Sequence, residues 1–197
     1  MNNLINEWDK YADNWDTDPA VEEYARKAFL ALPDDVELDG LTVLDFGCGT
    51  GALTQLISPK VKNIIAIDPS SKMIEYLNIK SLKNVLTIPD FLSKELICQY
   101  SLLENKFDLI IASSVCSFLP DYEATLNLLK SLLKSEGVFI QWDWLSRDDA
   151  SEMGLTHKRV KQALEMNKFT RINISTPFIM ESSKGSMPVL MAIGKNT

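Results

Sequence analysis

The chain has 197 residues, a length typical of one globular domain. Hydrophobic residues make up 46% of the chain and charged residues 24%, as in proteins with a packed core, and no apolar run is long enough to cross a membrane. The first ten residues show no basic flank followed by an apolar stretch, so we expect a cytoplasmic protein with no secretory signal and no membrane association.

The net charge is −7, which would repel a phosphate backbone. The densest basic cluster consists of four residues at helical spacing (His157, Lys158, Arg159 and Lys161), and it is typical of a solvated helix face. Nucleic acid is therefore an unlikely partner. The three cysteines are widely spaced, which argues against a disulfide framework and against a structural zinc site, and we expect no metal.

The N-terminal third of the chain predicts two helices. Apolar residues recur at helical intervals from Leu4 to Trp15. Asp18 and Pro19 then form a typical N-cap and first helical position, and a second apolar stripe continues until Pro33. We predict that residues 1–33 form a helical cap.

Short apolar runs alternate with amphipathic stretches in the rest of the chain. The runs predict strands at 42–46, 63–67, 85–88, 107–112 and 138–142. The stretches between and after them predict helices at 52–57, 71–79, 92–103, 122–133 and about 157–167. Two more runs, 170–180 and 189–193, flank a polar loop at 181–187 and predict an antiparallel hairpin.

These elements predict a three-layer αβα sandwich around a seven-stranded, mostly parallel sheet that a C-terminal antiparallel hairpin completes. We predict a single domain over 1–197. In it, residues 41–144 would form the cofactor-binding core, and residues 145–197 the last helix and the hairpin.

A glycine turn follows the first predicted strand, in the segment VLDFGCGTG at residues 43–51. Gly47, Gly49 and Gly51 stand at alternate positions between a buried strand and a helix. Ligands of such sheets bind at the carboxyl ends of the strands, and glycine lets the backbone approach a ligand closely. The turn therefore predicts a nucleotide-type cofactor site.

Two cofactors fit the glycines, because Gly47, Gly49 and Ala52 also satisfy the dinucleotide pattern G-x-G-x-x-A. The charge of Asp45 discriminates between the two cofactors. A carboxylate beside a pyrophosphate costs energy, whereas beside the α-ammonium group of a methionine moiety it is favourable. Asp45 therefore favours S-adenosylmethionine over NAD.

Two further acidic residues end the next two strands. Asp68 follows the second strand and can accept hydrogen bonds from ribose hydroxyls in either cofactor. Asp90 follows the third strand, where a carboxylate can accept from the adenine amine while Phe91 offers an apolar face. The alternative for Asp90 is the N-cap of the helix after Leu92.

With these motifs the chain resembles class I S-adenosylmethionine-dependent methyltransferases of the small-molecule branch, which have a Rossmann-like fold. Gly47 to Gly51 are similar to the family's first motif, Asp68 to its ribose acid and Pro89-Asp90-Phe91 to its adenine segment. The resemblance continues in the segments FDLIIAS at 107–113 and LKSEG at 133–137, and in the Trp-Asp pairs at 8–9 and 15–16. The cofactor-binding residues that we expect are Asp45, Gly47, Cys48, Gly49, Gly51, Asp68, Pro69, Ser70, Met73, Asp90, Phe91 and Ser113.

Methyl transfer from a sulfonium needs alignment of the reacting atoms, and it needs a base only where the acceptor must lose a proton early. His157, the only histidine, is a weak catalytic candidate, and packing explains Cys116 better than a nucleophilic role does. Five aromatic residues that we expect near the opening of the predicted cofactor site suggest a small apolar or planar acceptor: Trp8, Tyr11, Trp15, Trp142 and Trp144. The segment from Leu4 to Asp16 is either a mobile lid or a fixed wall.

The sequence therefore predicts a methyltransferase that uses S-adenosylmethionine and acts on a small molecule. Two alternatives stay open: an NAD-dependent oxidoreductase, and a non-catalytic partner subunit that binds S-adenosylmethionine. The pattern predicts neither the acceptor atom nor the oligomeric state.

Overall fold

The computed structural model describes residues 2–104, 107–148, 154–182 and 185–197, with the side chains of 2–7 and 182 left out. The chain divides into two compact units, Met1–Gln99 and Tyr100–Thr197. Within the described ranges no helix has the length and apolar character that a bilayer span requires.

The first unit contains five α-helices and three strands in its described part. They are α1 (Asn2–Trp15), α2 (Pro19–Leu30), β1 (Thr42–Phe46), α3 (Ala52–Ile57), β2 (Asn63–Ile67), α4 (Ser71–Ile79), β3 (Val85–Ile88) and α5 (Lys94–Gln99). The strands pair in parallel in the order β3-β2-β1. Since parallel strands end at one edge, the glycine turn, Asp68 and Asp90 all follow strands at the same edge of this unit.

Two helices of this unit, α2 and α4, begin where a side chain accepts a hydrogen bond from a free amide group of the first turn. Asp18 accepts a hydrogen bond from the Ala20 amide at 2.9 Å, and Pro19 occupies the start of α2, which confirms the predicted cap. Ser70 caps α4 in the same way, since its hydroxyl accepts from the Met73 amide at 3.1 Å. A cap of this kind contributes about 1 kcal/mol to stability.

The second unit contains four strands and two α-helices in its described part. They are β4 (Phe107–Ser113), α6 (Tyr122–Leu132), β5 (Leu133–Trp144), α7 (His157–Met166), β6 (Thr170–Ser182) and β7 (Gly185–Lys195). β5 pairs in parallel with β4 and antiparallel with β7, and β7 pairs antiparallel with β6. These pairings and the parallel strands of the first unit confirm the predicted αβα fold with its closing hairpin.

Three predicted boundaries are wrong. The helix predicted at 92–103 is reduced to α5 and a single 3₁₀ turn at Ser101–Leu103. The polar loop predicted at 181–187 is mostly strand, because β6 reaches Ser182 and β7 begins at Gly185, while residues 183–184 lie outside the described ranges. β5 begins at Leu133, five residues before the apolar run, since Leu133 pairs with Phe107 and a bulge separates this pair from the regular pairing that starts at Val138. The single domain over 1–197 stays a prediction.

Gly51 makes the closest approach in the glycine turn, and it provides a test of the fold. Its φ is +82°, and a Cβ there would lie 2.3 Å from Leu77 Cδ1 of α4. Gly40 has a similar φ of +76° with open space around the Cβ position. We expect Gly51→Ala to lower the free energy of unfolding by about 2–4 kcal/mol and Gly40→Ala by about 1 kcal/mol, measured by chemical denaturation. Equal losses in the two variants would mean that the contact with Leu77 is not tight.

Candidate functional site

The glycine turn is held against the end of β2 by three of its own amides. The Gly47 and Cys48 amides donate to the Ile67 carbonyl at 2.8 and 3.2 Å, and the Gly49 amide donates to Asp68 Oδ2 at 2.9 Å. Gly49 is partly exposed, and nothing lies within 4 Å of where its Cβ would be. The turn therefore exposes backbone without side chains to a ligand, while the hydrogen bonds to Ile67 and Asp68 fix its conformation.

Asp68 joins this turn to the helix that follows β2. Its second oxygen, Oδ1, accepts a hydrogen bond from the Ser70 amide at 2.9 Å, so one carboxyl group fixes both the glycine turn and the cap of α4. Burial raises the pKa of Asp68, the amides of Ser70 and Gly49 lower it, and the nearby Asp9 raises it. Each carboxylate oxygen has a lone pair left for a ribose hydroxyl.

Asp45 lies buried in β1 beside this arrangement. Its Oδ2 accepts a hydrogen bond from the Thr54 hydroxyl at 2.6 Å. Burial raises its pKa to about 7, the Thr54 hydroxyl opposes that rise, and Asp68 adds to it. Burial and the carboxyl groups of Asp45 and Asp68 also raise the pKa of the Cys48 thiol.

We call Asp9, Asp45 and Asp68 the acid cluster. Among the described residues none of the three forms an ion pair with a lysine, an arginine or the histidine. Uncompensated acidic groups in a buried place are costly, and they suit a ligand that brings positive charge. The same groups disfavour a pyrophosphate.

Helix α1 attaches to α4 and to the glycine turn through a stripe of carboxylates. Asp9 accepts from the Ser70 hydroxyl at 2.5 Å, and Asp16 accepts from the Thr50 hydroxyl. The remaining polar contacts of this stripe are Asp16 with Lys80 at 2.9 Å, and Asp13 with Lys72 at 3.6 Å and with the Tyr76 hydroxyl at 3.1 Å. These contacts place α1 beside the first unit's candidate cofactor site.

The aromatic residues of α1 contact one another. The rings of Trp8 and Trp15 lie 5.8 Å apart and those of Trp8 and Tyr11 lie 6.0 Å apart, while Tyr11 is 59% exposed. Ala12, between them in sequence, is buried. Contact of these aromatic residues with an acceptor stays a prediction.

Asp90 is exposed at the end of β3, and the helix cap considered as its alternative role belongs to another residue. The Ser93 hydroxyl accepts from the Leu96 amide at 3.1 Å, whereas the donor that Asp90 has among the described residues is the adjoining Phe91 amide, at 2.7 Å. Phe91 is 38% exposed. Of the remaining expected cofactor residues in this unit, Met73 is buried and Pro69 is partly exposed.

In the second unit, the end of β5 carries a buried polar chain. Asp143 Oδ1 accepts from the Ser117 amide at 3.1 Å, Asp143 Oδ2 accepts from the Gln141 amide group at 3.3 Å, and Gln141 Oε1 accepts from the Tyr122 hydroxyl at 2.6 Å. Burial raises the pKa of Asp143 to about 7, against hydrogen bonds from Ser117 and Cys116 that lower it. This chain fixes the loop after β4.

The other predicted residues of the second unit lie in different surroundings. Ser113 ends β4 and is partly exposed, and Ser114 follows it with a φ of +56°. Trp142 is completely buried, whereas Trp144 is partly exposed. His157 begins α7 on the surface, where its Nε2 lies 3.2 Å from the Thr176 hydroxyl.

Cys116 is buried beside Asp143, and both burial and that carboxyl group raise the pKa of its thiol. A thiol with a raised pKa is a poor nucleophile near neutral pH. The packing interpretation of Cys116 therefore agrees with its surroundings.

Several residues of these arrangements escaped the sequence analysis, namely Asp13, Thr50, Thr54, Lys80, Ser117, Tyr122, Gln141 and Asp143. A signal was present for one of them, because Asp9, Asp13 and Asp16 are spaced by four and three residues and so share one helix face. Thr50, Thr54 and Lys80 have no such pattern, since tertiary packing alone brings them to these carboxylates.

Comparison with known proteins agrees with this geometry. Residues 19–176 match the model of a family described as a methyltransferase domain. An uncharacterized methyltransferase of Schizosaccharomyces pombe is 29% identical over 140 residues, which are 60% of this chain and 47% of that protein. A malonyl-[acyl-carrier protein] O-methyltransferase of Acetivibrio thermocellus is 27% identical over 159 residues, 80% of this chain and 54% of that protein. The chain thus spans about half the length of these curated relatives.

Solved structures share the fold over almost the whole chain. The complex named DhpI-SAM-HEP superposes with a TM-score of 0.76 at 16% identity, covering 97% of this chain and 95% of that one. A SAM-dependent methyltransferase from Aquifex aeolicus gives 0.70 at 22% identity, with 96% and 98% covered.

The fold and the acid-lined glycine turn are those of the class I S-adenosylmethionine-dependent methyltransferase family, as the sequence predicted. The chain belongs to the methyltransferase domain family, whose model covers most of its length.

Asp143 makes the stability of the free protein depend on pH. Its pKa of about 7 lies above the ordinary value of 3.8, so its contribution to stability is complete below about pH 4 and is lost as the pH rises through 7. Asp143→Asn imitates the protonated carboxyl. We expect the variant to gain on the order of 2–4 kcal/mol relative to wild type between about pH 5 and pH 8, measured by denaturant unfolding. The exposed control Asp39→Asn should show no such gain, and a parallel pH dependence in Asp143→Asn and wild type would contradict the raised pKa.

Proposed function

We propose that the chain transfers a methyl group from S-adenosylmethionine to a small-molecule acceptor. The observation that carries the proposal is the acid cluster around a glycine turn whose backbone is bare at Gly49. The cofactor has a positively charged methionine end and a ribose. These features suit Asp45 and Asp68 respectively, whereas the pyrophosphate of NAD would meet uncompensated acidic groups.

Each residue has a binding role in this proposal. Asp68 would accept from the ribose hydroxyls and Asp90 from the adenine amine, with the exposed ring of Phe91 against the base. Asp45 would face the α-ammonium group. When bound, S-adenosylmethionine supplies an electrophilic methyl group, and the chain's contribution is to align it with the acceptor and to exclude water.

The aromatic side chains of α1 favour a small acceptor. The partly exposed rings of Trp8, Tyr11 and Trp15 offer an apolar surface of a size suited to a planar or apolar molecule. The net charge of −7 disfavours nucleic acid. The relatives that the chain matches include a malonyl-[acyl-carrier protein] O-methyltransferase, a sterol 24-C-methyltransferase and a ubiquinone biosynthesis O-methyltransferase.

Thermal unfolding with candidate ligands tests the cofactor. S-adenosylmethionine or S-adenosylhomocysteine at ~100 times its dissociation constant adds about 2.7 kcal/mol to stability, so the unfolding temperature should rise with either and stay unchanged with NAD. Formation of S-adenosylhomocysteine with a panel of acceptors then separates an enzyme from a non-catalytic cofactor-binding subunit. A shift with NAD alone would overturn the proposal.

Replacement of Asp68 tests the ribose contact. Hydrogen bonds to a charged acceptor contribute about 1.5–3 kcal/mol, so Asp68→Ala should weaken S-adenosylhomocysteine binding by roughly ten- to a hundred-fold in calorimetry. Stability should fall as well, because the amides of Gly49 and Ser70 lose their acceptor. Asp39→Ala is the matched control, an exposed carboxylate in the same unit. A folded Asp68→Ala variant with unchanged affinity would remove Asp68 from the site.

We further predict that residues 4–16 act as a mobile lid. The carboxylate contacts of Asp13 with Lys72 and Tyr76 are exposed, and such contacts contribute only about 0–1 kcal/mol each. Amide hydrogen exchange in this segment should therefore be fast in the free protein and slow markedly with S-adenosylhomocysteine. Strong protection without ligand would identify α1 as a fixed wall.

A further inference from the structure

We propose that binding of a ligand with an α-ammonium group expels a proton from the acid cluster, so that cofactor affinity rises with pH. This inference rests on the proposed function, since it concerns the same site. Asp45 is 1% exposed, and its one hydrogen-bond donor among the described residues is the Thr54 hydroxyl.

The titratable groups that the structure places near Asp45 are two carboxyl groups and a thiol, none of which brings positive charge. Asp68 lies at the end of the neighbouring strand, Cys48 lies in the turn, and Asp9 faces Asp68 from α1. The nearest cations of α4, Lys72 and Lys80, pair with Asp13 and Asp16 instead. No cation within the described ranges stabilises a negative charge on Asp45.

Asp68 holds the proton of the pair less readily than Asp45, although burial raises the pKa of Asp68 as well. Both of its oxygens accept backbone amides at 2.9 Å, and these bonds favour the ionised form of Asp68. The proton of the coupled pair therefore resides mainly on Asp45, whose only described donor is a neutral hydroxyl. Its pKa of about 7 agrees with this assignment.

An ammonium group beside Asp45 shifts its protonation equilibrium from the neutral carboxyl to the carboxylate. The charge attraction favours the carboxylate, so the Asp45 O–H bond breaks, its proton passes to the buffer and the electron pair stays on the carboxylate oxygen. In the free protein below about pH 7 the carboxyl is neutral, so binding must ionise it. Affinity should then fall by up to about tenfold for each pH unit below 7 and level off above it.

Calorimetry in two buffers of different ionisation enthalpy counts the protons directly. At about pH 6.5, S-adenosylhomocysteine should release between roughly half a proton and one proton, and the release should fall as the pH rises from 6.5 to about 8. The matched ligand is 5′-methylthioadenosine, which keeps the nucleoside and the thioether but has no ammonium group. It should bind with no proton release. A binding enthalpy for S-adenosylhomocysteine that is independent of buffer at pH 6.5 would overturn the inference.

Two variants locate the proton. Asp45→Asn should abolish the release and the pH dependence of S-adenosylhomocysteine affinity, and undiminished release in this variant would contradict the assignment to Asp45. Thr54→Val removes the hydroxyl that lowers the pKa of Asp45 and keeps the side-chain volume. It should move the window of proton release to higher pH, and it carries the test if Asp45→Asn does not fold. Absence of binding for every nucleoside at every pH would instead refute the proposed function.

Discussion

The bridge that Asp68 forms between the Gly49 and Ser70 amides is the interaction on which the candidate site depends. One buried carboxyl group fixes the glycine turn after β1 and the start of α4 after β2. Two hydrogen bonds to a charged acceptor contribute on the order of 3 kcal/mol or more, and they oppose in part the burial that raises the pKa of Asp68. The turn is consequently rigid without any ligand, and the backbone at Gly49 stays bare.

The same bridge concentrates acidic groups in one place. Asp45, Asp68 and Asp9 lie where no described cation compensates them, so the free protein carries an electrostatic cost that a cationic ligand removes. Sites that bind charged ligands commonly hold such perturbed groups. Helix α1 and the residue after it contribute to this arrangement, because Asp9 belongs to the acid cluster while Asp13 and Asp16 pair with Lys72 and Lys80.

The sequence predicted most of the fold because strands buried on both faces leave nearly continuous apolar runs, as in β1 and β2, which it placed without error. Polar strand segments contain no apolar run, so the sequence pattern did not predict the early start of β5. There Glu136 adopts a φ of +66° and pairs with Lys195 at 2.6 Å. The candidate site was predictable where motifs are local, as at Asp45 and Asp68. Contacts across long sequence distances, such as Asp16 with Thr50, depend on packing that periodicity does not encode.

A crystal structure of the chain with S-adenosylhomocysteine tests the central claim most directly. The account predicts that both ribose hydroxyls donate to Asp68 while its oxygens keep the Gly49 and Ser70 amides, and that the α-ammonium group lies against the acid cluster. A nucleoside bound away from the glycine turn, or an Asp68 side chain that releases the two amides to reach the ribose, would contradict it.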